Sequence, residues 1–374
     1  MAAVAAEALL RARFQRQRLT NAARLGADPA AVARAVCAVQ AQELNAGCLS
    51  LRARSVGLTR THVLGALDDD RTLAWTWLMR GTLHICAADD VRWLLSLVGP
   101  LNAARDARRR AQVGLDDDAC ARGVRVMRRA LSSGPLTRHE LRVALLAAGI
   151  DVTRDPQALI HLIAYAASRG VIVVLPPVGR DNRFGLLEDW IPKGTAPSGD
   201  AAEAELARRY FGAYGPAAVA DFRTWAGVPA PMAQRAVARI AGELDTQETA
   251  AGELLTLRAR HRTRVPERER ITVRLLPRWD TYLLGYRSRM LMLDALHTPR
   301  VCVGGIIKPS VCVDGHIEGI WELRRERASW RIELQPFARF STDVETGIRA
   351  ECAALASFLD APVRGAEGIT MPGR

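Results

Sequence analysis

Three times along the chain a glycine leads into a short helix starter and then an amphipathic stretch, at intervals of about 80 residues. The segments are Gly57-Leu58-Thr59-Arg60-Thr61-His62-Val63-Leu64, Gly134-Pro135-Leu136-Thr137-Arg138-His139-Glu140-Leu141 and Gly215-Pro216-Ala217-Ala218-Val219-Ala220-Asp221-Phe222. Thr59 and Thr137 are N-cap residues, because a hydroxyl there accepts a backbone N–H that the helix start leaves free. That period is the size of a winged helix. After the second starter, a helix over Pro156–Ser168 breaks at Arg169-Gly170, and the β-branched run Val171–Val174 passes through a Pro/Gly/Asn turn to Phe184–Leu187. Helix, helix, strand, turn, strand is a helix-turn-helix with its hairpin wing. In the first unit, Leu73–Met79 and Thr82–Cys86 flank Arg80-Gly81 as a hairpin. In the third, Trp225–Val228 is the turn, Pro231–Glu243 the second helix and Gln247–Leu257 the wing.

A chain of 374 residues has room for two to three domains at about 150 residues each. The reading is helix-rich α+β: winged-helix units over 1–112, 117–195 and 200–265, then an α+β region over 270–374. Val113–Asp118 and Pro192–Asp200 are linkers. In the last region strands are predicted at Ile271–Leu276, Val301–Val303, Val311–Val313, Ile317–Trp321 and Trp330–Leu334. A closing helix over Asp343–Leu359 sets Val344, Ile348, Cys352, Leu355 and Leu359 on one face.

The net charge is +12, with 52 basic against 40 acidic residues. Only Lys193 and Lys308 are lysines. With the alanine excess, this marks GC-rich codon usage, which exchanges Lys for Arg but does not create an excess over Asp and Glu. A polyanionic partner such as nucleic acid follows. Apolar runs fall short of the roughly 18 residues of a membrane span. Met1–Arg13 lacks the basic start of a signal peptide, so a cytoplasmic protein is expected. Seven cysteines without a Cys-x-x-Cys pair give neither a disulfide framework nor a zinc or iron–sulfur spacing. They read as small core residues, and no metal or cofactor is implied.

The sharpest local feature is Val39-Gln40-Ala41-Gln42-Glu43-Leu44-Asn45-Ala46-Gly47, at the end of a helix predicted over Pro29–Val39. Asn45 and Gly47 read as helix stops. Two glutamines two residues apart diverge on a helix but share a side on extended chain. They serve one site only if the helix ends near them. A carboxamide offers an acceptor oxygen and an NH₂ donor, so a pair can grip a water molecule or a base or phosphate edge. Plain surface polarity is the other reading.

Gln40-Ala41-Gln42 resembles the glutamine–aliphatic–glutamine motif of AlkZ-type DNA glycosylases, which are bacterial enzymes built from tandem winged helices. Three further stretches resemble the same family in the same order. They are Trp77–His84 (Trp-Leu-Met-Arg-Gly-Thr-Leu-His), Leu276–Arg289 around Asp280, and Lys308–Gly315 with Gly319-Ile320-Trp321 behind it. The resemblance implies a basic concave surface for a DNA duplex, with Gln40 and Gln42 positioning the water that attacks the sugar C1′. The sister YcaQ-type branch has an aspartate where Gln42 stands. The sequence is therefore similar to the AlkZ branch, whose substrates include bulky N7-alkylpurines and interstrand crosslinks. Ala41 is smaller than the branched aliphatic residue of that motif.

The chemistry of the residues agrees. An intact glycosidic bond needs an acid for the leaving base and a base for the water. An N7-alkylated guanine is already cationic and leaves without a proton donor, through an oxocarbenium-like transition state. Neutral amides suit that reaction and no harder one. A lyase would want a lysine nucleophile, but Lys193 lies in a linker and Lys308 far along the chain. A monofunctional hydrolase is expected, and one chain with three DNA-contacting units needs no dimer. Phosphate-cradling and nucleophile-elbow motifs are missing from the sequence.

The residues assigned to DNA contact are Arg80 and His84 on the first hairpin, Asp280, Arg287 and Arg289, and Ile306, Ile307 and Lys308 on a second hairpin. Four of them have a second reading. His84 could hydrogen-bond in the core, and Asp280 could N-cap the helix before Tyr282. Ile306 and Ile307 are groove wedges or ordinary core. Trp279, Tyr282 and Tyr286 read as core. The run Arg105–Arg110 is a solvated helix face or a tracker of the DNA backbone. Two rival functions stand beside the glycosylase: a non-enzymatic winged-helix transcription regulator, and a drug-sequestering resistance protein.

Overall fold

The computed structural model describes residues 2–179, 181–191, 194, 196–249, 252–258 and 271–365; Lys193 lies outside the described residues. Helix α1 (Ala2–Arg16) leads to α2 (Pro29–Ala35), where Asp28 accepts from the N–H groups of Ala30 and Ala31 and Pro29 opens the first turn. The helix predicted to run to Val39 stops at Ala35. Cys37 and Ala38 take φ of 57° and 98°, outside the right-handed helical region, and turn the chain into strand β1 (Val39–Gln40). Helix α3 (Leu44–Ala53) follows. It takes in Asn45 and Gly47, the expected helix stops. Gly47 is needed for close approach: a Cβ there would lie 2.6 Å from Ala41 Cβ and 2.8 Å from Ile85 Cδ1.

Next come α4 (Arg60–Asp68), capped by Thr59 and His62, strands β2 (Leu73–Trp77) and β3 (Leu83–Ala87), and helices α5 (Ala88–Arg105) and α6 (Ala107–Gln112). Helix α7 (Asp117–Leu131), strand β4 (Leu136–Thr137), α8 (Arg138–Ala147) with its Thr137–Glu140 capping box, and α9 (Ala158–Ser168) precede the hairpin β5 (Ile172–Val178) and β6 (Asp181–Leu186) and the turn helix α10 (Leu187–Trp190). All six strands form one sheet in the order β1-β3-β2-β5-β6-β4. The two hairpins meet at the antiparallel pair Trp75 and Val174. A shared core of Trp75, Met127, Leu162, Ile172, Val174 and Phe184 lies beneath them.

Helix α11 (Gly199–Tyr214), the pair α12 (Val219–Ala226) and α13 (Ala230–Arg239), and the hairpin β7 (Leu244–Thr249) and β8 (Gly252–Leu257) come third. Gly227 ends α12 with φ of 70°, the left-handed cap that glycine adopts without a Cβ clash. Tyr210 stacks on Tyr214 with centroids 4.9 Å apart, and both pack on Trp225.

The last region holds β9 (Val273–Leu276), α14 (Thr281–Leu284), α15 (Thr298–Val301), β10 (Cys302–Val303), β11 (Ile306–Ile307), β12 (Ser310–Val313), β13 (His316–Glu326), β14 (Ser329–Pro336), α16 (Thr342–Leu359) and β15 (Val363–Arg364). Five strands make a sheet in the order β15-β14-β13-β12-β9. Helix α16 covers it with Val344, Ile348, Cys352 and Leu355, the face the spacing predicts. The fold is α+β, as expected. No described helix is long and apolar enough to cross a membrane.

The arginine run is split: Arg105 and Arg108 are exposed, as a solvated face would have them, Arg109 is half-buried and Arg110 turns into the core. Arg105 donates to the Gly227 carbonyl at 2.8 Å and Arg109 to Gln157 at 2.7 Å. Arg110 is buried, donates to the Ala103 carbonyl and lies 4.5 Å over the Tyr165 ring.

Candidate active site

Gln40 closes β1, opposite His84 of β3. The next residue is pinned on both sides of its backbone. Ala41 N–H donates to the Leu83 carbonyl at 2.7 Å, and the Ala41 carbonyl accepts from Trp75 Nε1 at 2.9 Å. The small residue between the glutamines has a packing cause, because its methyl is fully buried where α3 comes in at Gly47. The backbone here is extended or bent, so the glutamines escape the divergence a helix would impose.

Both carboxamides end on one short stretch, Arg80–Leu83. Gln40 Oε1 accepts from Arg80 Nη2 at 2.7 Å, and Gln42 Oε1 accepts from Leu83 N–H at 2.7 Å. Gln40 is 6% exposed, whereas Gln42 is open to solvent. Among the described residues each oxygen takes one hydrogen bond, which leaves a second lone pair and two N–H donors on each side chain for water or substrate.

Arg80 does not reach outward to DNA as expected. Its backbone is left-handed at φ 59°, and its other terminal nitrogen donates to the Trp225 carbonyl at the end of α12. Burial brings its pKa down to about 10, so it remains a cation. His84 is not a DNA contact either. It is 2% exposed, its Nδ1–H donates to the Thr82 carbonyl at 2.8 Å, and burial, then the charge of Arg80, push its pKa down to about 3. The imidazole is neutral, and the core reading holds.

Asp280 is also corrected. Its carboxylate is fully buried, grips Arg54 through both oxygens at 2.7 and 2.8 Å, and accepts from Ser50 Oγ at 2.7 Å. It also N-caps α14 by accepting from Tyr282 N–H at 2.9 Å. Such a group cannot meet a phosphate. The Leu276–Arg289 motif is therefore largely a joint: Thr281 and Arg54 both bond Gln17 of the segment after α1, and Tyr282 and Tyr286 are buried. Arg287 is exposed, while Arg289 spends Nε on the Leu283 carbonyl.

The second hairpin forms as read, with Cys302 opposite Ile307 and Val303 opposite Ile306 around Gly304 and Gly305. Ile306 is 38% exposed and Val303 46%, but Ile307 is 4% exposed and belongs to the core, because successive strand residues point to opposite faces. Trp279 braces the turn, donating its indole N–H to the Gly305 carbonyl at 3.3 Å and its backbone N–H to Ile307. Lys308 is half-buried beside it. A cleft of about 760 Å³ runs between this hairpin, the first turn of α3 and β13, with Glu43, Arg278, Ile306, Lys308 and Trp321 on its walls. The Glu43–Arg278 ion pair crosses from α3's start to the C-terminal region at 2.7 Å. Sequence reasoning missed Arg54 and Ser50, whose partner Asp280 lies more than 200 positions away, and gave no role to Glu43, which stands inside the Val39–Gly47 stretch. Arg278 had a signal, standing inside the Leu276–Arg289 stretch.

The chain matches the model of the DNA glycosylase AlkZ-like family over residues 33–358. It is 27% identical over 308 residues to a Streptomyces sahachiroi protein named interstrand DNA cross-link repair glycosylase, a match covering 77% of this chain and 80% of that one. The solved structure of Streptomyces sahachiroi DNA glycosylase AlkZ aligns with a TM-score of 0.79 at 25% identity, over 96% of this chain and 98% of that one. The family match spans both glutamines, the Arg80–Leu83 stretch and the second hairpin. This chain belongs to the AlkZ-like DNA glycosylase family and is a DNA glycosylase, a hydrolase of the base–sugar bond.

Proposed function

We propose that the chain is a monofunctional glycosylase for N7-alkylated purines, bulky adducts and interstrand crosslinks included. One observation carries this reading: two uncharged amides are held on one stretch of backbone while the titratable groups nearby are committed elsewhere. Glu43 pairs with Arg278, His84 is neutral and buried, and Asp280 is locked to Arg54. A centre so poor in acids cannot protonate an intact purine, but a cationic N7-alkylpurine needs no proton to leave. The amides then hold and orient water at C1′. The name of the Streptomyces relative, a cross-link repair glycosylase, supports extending the substrate range to crosslinks.

The duplex lies, in this reading, along a concave surface built from winged-helix units at 1–112, 117–195 and 200–265 and the region 270–374. The helix–helix–hairpin order recurs at α8–α9–β5–β6 and at α12–α13–β7–β8, which supports it. Arg287, Arg289 and Lys308 meet phosphates, and Ile306 with Val303 enters a groove. The protein acts as a monomer in the cytoplasm, without a cofactor. The test is base release from a duplex carrying a single N7-alkylguanine, with wild type, Gln40→Ala and Gln42→Ala. The wild type is expected to leave an abasic site and both variants to lose most of the rate. Equal rates in all three proteins sink the assignment.

A further inference from the structure

The stretch Leu78–Thr82 meets the end of α12, a contact between turns 145 positions apart in the chain. Arg80 stands there, and the two arms of its guanidinium diverge. One donates to the Trp225 carbonyl in the last turn of α12, the other to Gln40 Oε1 at 2.7 Å. The last carbonyls of a helix lack intrahelical partners and carry the negative end of its dipole, so they hold a cation well. Gly227 makes the approach possible, since a Cβ there would lie 2.9 Å from Arg80 Cγ and 3.2 Å from its Cα. A second ring of bonds closes around the same joint. Arg105 donates to the Gly227 carbonyl at 2.8 Å and to Asn102 Oδ1 at 3.2 Å, and Asn102 Nδ2 donates to the Leu78 carbonyl at 2.7 Å.

We propose that Arg80 is a positioning residue for Gln40, a clamp that makes the carboxamide's orientation depend on how residues 219–239 dock against the first hairpin. The inference rests on the reading of Gln40 as part of the glycosylase centre. Turning the amide over would set its NH₂ against a guanidinium, donor against donor, so only one orientation is allowed. The charge-assisted bond draws on the Gln40 oxygen more strongly than the neutral Leu83 N–H draws on the Gln42 oxygen. The two amides are therefore unequal. Gln40 presents its N–H donors to the site, and Gln42 keeps the better acceptor for a proton of the attacking water. Lysine cannot replace the clamp, because one ammonium does not reproduce a planar fork with two fixed arms.

The test uses the full chain and a duplex with one N7-methylguanine, comparing wild type, R80K, R80A, Q40A and Q40A/R80A. Three quantities are read: the single-turnover rate at saturating enzyme, the affinity for the same duplex by anisotropy, and the melting temperature. R80K is expected to fold, to bind the duplex within about 3-fold of wild type, and to lose about 10- to 100-fold in saturating rate. Arg80→Met, which keeps the aliphatic stem, takes its place if R80K does not fold. The double variant is expected to be no slower than Q40A alone. A wild-type saturating rate in R80K, a defect confined to affinity, or losses that multiply in the double variant overturns the clamp. A further readout needs no DNA. In protein labelled with ¹⁵N-glutamine, the side-chain NH₂ signal lost in Q40A is that of Gln40, and it should shift in R80K. An unmoved signal overturns the clamp. If the wild type releases no base, the reading of function fails, and this signal still decides the clamp.

Discussion

Arg54 and Asp280 meet 2.7 Å apart with no exposed side-chain surface on either, 226 positions apart in the chain. Arg54 ends the helix that follows the glutamines, and Asp280 starts α14 in the C-terminal region. Ser50, Gln17 and Thr281 complete the hydrogen bonding around the pair. The joint fixes α3 against the C-terminal region and thereby sets the base of the glutamine segment. Nearby, a second buried knot joins Arg52 of α3 to Glu351 of α16 at 2.6 Å, while Glu351 also accepts from Leu275 N–H.

Breaking one partner of such a pair leaves the other charged and unsatisfied in a dry site. Asp280→Asn is therefore expected to destabilise the protein by about 3–5 kcal/mol, measured by urea unfolding. The affinity of the still-folded protein for DNA should change little. A loss of affinity with unchanged stability would return Asp280 to the DNA surface.

His84 gives the stability a pH dependence of known sign. Its folded pKa of about 3 lies below the unfolded value of 6.5. Between those values the unfolded chain holds the proton and the folded one does not, so stability falls as pH drops from 6.5 towards 3. At pH 5 the loss is about 2 kcal/mol, from 1.36 kcal/mol per pH unit. His84→Asn should flatten this window in denaturation curves taken at pH 7, 6 and 5. An unchanged slope would mean that another group carries it.

The hairpin separates two isoleucines that are adjacent in sequence. Ile307→Ala empties a buried site and should lower stability by about 2 kcal/mol or more. Ile306→Ser should leave the melting temperature within about 1 °C and instead weaken binding to duplex DNA. Anisotropy and thermal melts on both proteins check the pair. Equal behaviour of the two variants would remove the wedge assignment.

The fold was legible where periodicity and turn chemistry act locally. The Thr59 and Thr137 caps, the hairpin around Gly304-Gly305 and the buried face of α16 all rest on residues close in sequence. The end of α2 was not legible, because positive φ at Cys37 and Ala38 contradicts their own preferences and is imposed by tertiary packing. Gly47 misled for a related reason: its missing side chain makes room for Ala41 instead of ending a helix. At the site, the resemblance pointed to the glutamines, but not to what holds them. Arg80, His84 and Asp280 sit in stretches that resemble the family, and the resemblance alone drew them towards the DNA. Burial turns all three inward.

The thiols are expected to react selectively. Six of the seven cysteines are buried and Cys302 is half-buried. Burial raises Cys48 to about 12 and Cys352 to about 11, which suppresses the reactive thiolate. Native protein treated with a thiol reagent should label fastest at Cys302, and the other six should follow only on unfolding. Peptide mapping decides this, and early labelling of Cys37 or Cys86 would contradict the packing around β1 and β3.

The last prediction concerns the acceptor. Gln42 is open to solvent, with one lone pair of its oxygen tied to Leu83 N–H and the other unspent among the described residues. Replacing it by alanine removes the water's acceptor, and a saturating rate about 10²-fold lower is expected on an N7-alkylguanine duplex. Gln42→Glu supplies a stronger acceptor of the same reach, which can still take the Leu83 N–H. It should recover most of the lost rate and add a dependence on pH near the carboxylate's pKa that the wild type lacks. Gln40→Glu should not recover activity, because a carboxylate of the same reach beside Arg80 forms an ion pair and ceases to present donors. Single-turnover rates from pH 5 to 8 for these variants separate the two roles. Equal rescue at both positions would show that the glutamines are interchangeable and that the geometry of their oxygens does not matter.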